Sequence, residues 1–195
     1  MTKSTAGIAT AIAFASALAC ASEKSTSPNE VLVPLFERSG GVNNLGTHLD
    51  GDDENPPHVT LAQGQAIFRI SDDGKSVTYK LIAANIDNPF MAHIHLAPVG
   101  VNGPIVEWLF PSTAPVAGPP GTGRFDGVLA TGTFTAANLV GPLAHHPLSD
   151  LIAAMRNGGA YVNIHTESGV APPNSGPGNF PGGEIRGQLD APGKP

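Results

Sequence analysis

The sequence predicts an all-β fold, an antiparallel β-sandwich or Greek-key barrel of about seven or eight strands with one short helix near 149–157. Three observations carry this expectation. First, three segments alternate polar and apolar residues: Ala92-His93-Ile94-His95-Leu96, Tyr161-Val162-Asn163-Ile164-His165-Thr166, and Gly182-Gly183-Glu184-Ile185-Arg186-Gly187-Gln188-Leu189. Alternation at period two marks a strand with one buried and one wetter face. Second, 24 glycines and 19 prolines among 195 residues fit many short strands joined by turns. Third, a single stretch, Ser149 to Gly158, carries both helical spacing and helix-end residues.

The length suits one domain with a real core. Only 13% of residues are charged and the formal net charge is −6, with no basic patch, which argues against nucleic acid and anionic membrane surfaces as partners. Residues 1–20 read as an export signal: Lys3 precedes an uncharged run of small and apolar residues from 7 to 19, too short to span a bilayer. The run ends Ala17-Leu18-Ala19-Cys20. Cys20, the chain's one cysteine, stands where a bacterial lipoprotein carries its lipidated residue. The match to a lipobox is partial, with Ala17 in place of the usual leucine. The expectation is an exported protein of the cell envelope, lipid-anchored through Cys20, otherwise periplasmic or secreted, that meets the membrane through the anchor only. With no second cysteine it can form no intrachain disulfide.

Residues 21–47 read as a tether and a loose segment that includes the apolar run 31–36, and 40–53 as loop and turn. The domain spans 48–190, followed by a tail at 191–195. Within it, 61–70 reads as a strand anchored by Leu61, Ile67 and Phe68, with Gly64 as a kink or bulge. Asp72-Asp73-Gly74-Lys75 is a hairpin turn, and 76–86 follows with Val77, Tyr79 and Leu81 on one face. Asp87-Asn88-Pro89 breaks that strand before the first histidine strand, 90–96. Asn102-Gly103-Pro104 reads as a turn using a positive φ, leading into a strand at 105–110. After a Pro/Gly loop, 125–135 returns to strand character. In the helix Ser149 is the expected cap, Asp150 suits the first-turn dipole and Gly158 the C′ position. Two last strands, 161–166 and 184–189, flank another Pro/Gly/Asn loop.

The alternation places Met91, His93 and His95 on one face of the first histidine strand, and Tyr161, Asn163 and His165 on the polar face of the second. Histidines at i and i+2 point to the same side, with Cβ atoms ~6.5–7 Å apart. With His165 from a neighbouring strand they form a three-nitrogen set suited to copper or zinc, to which Met91 can add a soft thioether. Glu184 can then fix an imidazole tautomer. The competing reading has no cofactor: His93 and His95 hydrogen-bond to Asn102, Glu184 or loop carbonyls, Arg186 pairs with Glu184, and the network holds the loops to the sheet. His145-His146 reads as solvated loop. So does the acidic turn Asp50-Gly51-Asp52-Asp53-Glu54, flanked by His48 and His58, which lacks the spacing of a calcium loop. No set of residues for nucleophilic catalysis and no phosphate loop is present.

The pattern Asn55-Pro56-Pro57, Ala92-His93-Ile94-His95-Leu96, Gly100-Val101-Asn102-Gly103-Pro104-Ile105-Val106, Tyr161-Val162-Asn163-Ile164-His165-Thr166 and Gly182-Gly183-Glu184-Ile185-Arg186-Gly187-Gln188-Leu189 resembles the CHRD domain, named for chordin, over about 48–189. The resemblance implies an all-β domain. It implies no enzyme, and the role expected is a non-enzymatic binding or structural module with an unknown protein or envelope partner. A fainter likeness, on the His-x-His strand and the later Val-x-Ile-His strand, is to the copper/zinc superoxide dismutase sandwich. That likeness implies a copper site at His93, His95 and His165, without that family's bridging histidine, zinc loop or loop disulfide.

Overall fold

The computed structural model describes residues 43–111 and 117–189, together with Met1. The export signal, Cys20, the tether up to 42 and the tail at 191–195 lie outside the described residues. Eight strands follow in order: β1 (Asn44–Leu49), β2 (Gln63–Ile70), β3 (Val77–Asp87), β4 (Pro89–Leu96), β5 (Ile105–Phe110), β6 (Arg124–Phe134), β7 (Ala160–Thr166) and β8 (Ile185–Gln188). Between β6 and β7 lie two short 3-10 turns, Ala136–Asn138 and Gly141–Leu143, and the one α-helix among the described residues, α1 (Leu148–Arg156). The strands form two four-stranded antiparallel sheets, ordered β1-β2-β3-β6 and β5-β4-β7-β8. The all-β sandwich expectation is met.

The core lies between the sheets and is built by the apolar phases of the strands. Leu45 and Leu49, Phe68 and Ile70, Val77 and Leu81, and Phe134 come from the first sheet. Ala92 and Ile94, Leu109, Val162 and Ile164, Ile185 and Leu189 come from the second. Leu151, Ile152 and Met155 of α1 join this cluster. The edges of the sheets meet where Asp50 and Arg186 exchange backbone hydrogen bonds of 3.0 and 2.9 Å, tying the end of β1 to β8.

Several elements differ from expectation. Residues 44–49 are strand rather than loop, because Leu45 and Leu49 share a face and bury it while the intervening Gly and Thr carry little apolar signal. Leu61 is 83% exposed and precedes the strand it was expected to anchor. Gly64 sits in unbroken register with Leu49 and Ala83. Its small size serves packing, since a Cβ there would stand 3.1 Å from Ile185 Cδ1. Helix α1 starts one residue early, with Pro147 as N-cap and no side-chain cap from Ser149. Pro147 presets the φ needed at that junction. Gly158, at φ +68°, takes the C′ position as expected. In the 97–104 loop the positive φ belongs to Gly100. Gly103 is instead pressed on Leu96, where a Cβ would overlap the carbonyl.

Candidate metal centre

The register of the second sheet places the polar phases of β4, β7 and β8 on its outer face. Met91 pairs with His165, His93 with Asn163, His95 with Tyr161, and Asn163 in turn with Arg186. This face is not wet, as the alternation had implied. His93 is 0%, His95 7% and His165 5% exposed. The cover comes from three loops. Residues 51–60 bring Glu54 and Thr60, 97–104 bring backbone carbonyls, and 167–184 bring Phe180 and Pro181.

Backbone carbonyls decide the chemistry of two rings. His165 Nδ1–H donates to Pro181 O at 2.9 Å, and His95 Nδ1–H donates to Gly103 O at 2.8 Å. A carbonyl can only accept, so the proton of each neutral ring sits on Nδ1 and each Nε2 carries a bare lone pair. Burial, with the neighbouring His95, pushes His165 down to about 4 despite its carbonyl partner. Burial, with His165 and His95 close by, pushes His93 down to about 2. His95 is lowered too, first by burial and also by Arg186. All three rings are therefore neutral near pH 7.

The third ring closes the set. His93 Nδ1 lies 3.1 Å from His165 Nε2. One ligand nitrogen from each of His93, His95 and His165 lies within 4.8 Å of the others. If His93 carries its proton on Nδ1, it donates to His165 and leaves its own Nε2 bare. If the proton is on Nε2, two bare nitrogens face each other. In either arrangement His93 Nε2 and His95 Nε2 are buried without a hydrogen-bond partner, and such orphans are costly. A cation at the convergence point would take the lone pairs of His93 Nδ1, His95 Nε2 and His165 Nε2 together. Metal–nitrogen bonds of about 2.0–2.1 Å put tetrahedral ligands roughly 3.4 Å apart, so a pair at the 4.8 Å limit has to close by about 1.4 Å.

The surroundings hold the rings in place. Tyr161 stacks on His95, with centroids 4.8 Å apart at 9°, and Arg186 Cζ lies 3.4 Å from the centre of the Tyr161 ring. Arg186 donates to Pro98 O, Val101 O, Asn102 Oδ1 and Gln188 Oε1. Asn102 Nδ2 donates to Asn55 O, linking two covering loops. Trp108 of β5 stands perpendicular to His93, with centroids 4.1 Å apart. Met91 is half-buried on the same face, opposite His165.

Two expectations are corrected. Glu184 neither orients an imidazole nor pairs with Arg186. It accepts from Thr60 Oγ1, Thr166 Oγ1 and Gly178 N at 2.6, 2.6 and 2.7 Å, because the 167–184 loop folds back over its carboxylate. The acidic turn is only partly solvated: Glu54 is buried, and burial, opposed by Arg186, raises it to about 7. Sequence reasoning did not find Trp108, Tyr161, Asn163 or Glu54 as parts of the site. Tyr161 and Asn163 stood on the polar phase of β7, which was the available signal. His145 and His146 are exposed as expected, with His146 Nδ1 3.0 Å from Asp150. His58 is half-buried and stacks on Phe180.

A family model described as the CHRD domain matches residues 45–189. No curated protein and no solved structure matches the chain. The likeness to the superoxide dismutase sandwich therefore has no matching structure behind it.

Proposed function

The chain belongs to the CHRD domain family, and on that premise we propose that it is an exported binding module that holds one copper or zinc ion between His93, His95 and His165. The single observation behind this is the convergence of three buried, neutral imidazoles, two of them turned by backbone carbonyls so that Nε2 faces the common point. The residues fit an ion by donor type, since three imidazoles suit copper and zinc. They fit by burial too, because His95 Nε2, one of the three donors, is buried with no hydrogen-bond partner. Export and anchoring rest on the signal-like run and Cys20 in the sequence.

A second reading, a purely structural polar network, is favoured by the 3.1 Å His93–His165 contact, which can be a hydrogen bond with no ion present. The two readings separate on one experiment. The purified chain is titrated with Zn²⁺ or Cu²⁺ while metal content and Trp108 emission are followed. Trp108 is the sole tryptophan and touches His93. Stoichiometric uptake with a change in emission, lost in His93→Ala/His95→Ala, is expected. No uptake at micromolar metal sinks the site and leaves the network.

A further inference from the structure

We infer that the ion this site takes is cuprous copper in preference to zinc, with the Met91 thioether as its soft partner; the inference rests on the metal-site reading above. The donor set is three imidazoles with no carboxylate or thiolate among them. An ion bound there keeps its full charge in a place where the ligands are 0–7% exposed. The cost of burying charge rises steeply with its magnitude, so a monovalent ion is favoured over a divalent one.

The field of the neighbours points the same way. Arg186 is 1% exposed and lies against Tyr161, whose ring also stacks on His95. The guanidinium is thus fixed one aromatic ring away from a ligand. Its hydrogen bonds run to carbonyl and amide oxygens, all neutral. Glu54 is the buried carboxyl that faces it, and Asp53 adds negative charge at longer range. A divalent ion meets more repulsion from this fixed cation than a monovalent one.

Softness is the third argument. Met91 stands directly across from His165 in the register, on the same face as all three ligands. Thioethers select Cu(I) and have little attraction for zinc. Zinc, by contrast, favours a fourth ligand, which in open sites is water, and here the three imidazoles are only 0–7% exposed.

The test is a pair of competition titrations on the purified chain. Cu(I) is presented anaerobically against a chromophoric Cu(I) chelator, and Zn²⁺ against a chromophoric zinc chelator. Expected is one Cu(I) per chain, held about 100-fold or more tighter than zinc. Met91→Leu, a change that conserves volume, is expected to weaken Cu(I) about tenfold and leave zinc unchanged. His93→Ala/His95→Ala loses both ions. Zinc bound as tightly as Cu(I), or Cu(I) affinity unchanged in Met91→Leu, overturns the inference and leaves the metal reading standing. Neither ion bound overturns both.

Discussion

Glu184 shows how much a single side chain can organise. Its two carboxylate oxygens receive the hydroxyls of Thr60 and Thr166 and the backbone N–H of Gly178, and the residue is buried. Thr60 comes from the connection between β1 and β2, Thr166 from the end of β7, and Gly178 from the loop between β7 and β8. One carboxylate thereby ties two covering loops to the sheet that carries His165. Removing it leaves the buried donors of Thr166 and Gly178 and the part-buried hydroxyl of Thr60 with no acceptor, each buried one costing about 1–3 kcal/mol. Glu184→Ala is expected to lower stability by roughly 3–5 kcal/mol in urea denaturation. Glu184→Gln, which keeps one accepting oxygen, should lose less. A loss below about 1 kcal/mol in the alanine variant would show that the loops are held elsewhere. Sequence alone could not reveal this role. Glu184 and Arg186 stand two residues apart on one face, which invites an ion pair, but Glu184 reaches Thr60, 124 residues away, and Arg186 reaches the loop at Asn102, 84 residues away.

The strands that carry the site were legible for a simple reason. In β4, β7 and β8 one phase is apolar and buried between the sheets, so period-two alternation reports it directly. The opposite phase was legible as polar but not as buried. Its burial depends on where the loops travel, and contacts such as Asn102 with Asn55 and Thr60 with Glu184 set that path. β1 was missed because Leu45 and Leu49 are its only strong apolar residues. Yet β1 is the strand that ties the two sheets together. At that seam Asp50 and Arg186 exchange backbone hydrogen bonds, and Gly187 lies so close to β1 that a Cβ would overlap the His48 carbonyl. Backbone cannot yield there as a flexible side chain would. Gly187→Ala is expected to cost about 2–4 kcal/mol and to speed amide exchange at Asp50 and Arg186 selectively. Unchanged exchange at those two amides would mean that the seam tolerates a side chain.

The whole molecule carries two opposing sets of buried titratable groups, and together they set its pH response without metal. On one side are His93, held down to about 2, and His165, held down to about 4, chiefly by burial. The unfolded chain protonates these rings near 6.5, so it binds more protons than the fold, and stability falls as pH drops from 6.5 towards 4. On the other side are Glu54, raised to about 7, and Glu107, raised to about 8, again by burial first. Glu107 lies on β5 opposite Ile94, a core residue, and its Oε2 has no hydrogen-bond partner. The fold keeps protons on these carboxyls that the unfolded chain releases above about 4.5, so stability falls as pH rises from 4.5 to about 8. Each such group contributes about 1.4 kcal/mol per pH unit over its window. The two slopes oppose each other between 4.5 and 6.5, which places the stability maximum there. Glu107→Gln removes one titration from the alkaline limb and leaves an uncharged group of nearly the same shape. Urea midpoints measured from pH 4 to 9 should therefore converge for the two chains towards pH 4, below the unfolded carboxyl's value of 4.5. The variant should be the more stable above pH 7. Parallel alkaline limbs would mean that Glu107 ionises in the fold as it does in water, and that the core around β5 admits solvent.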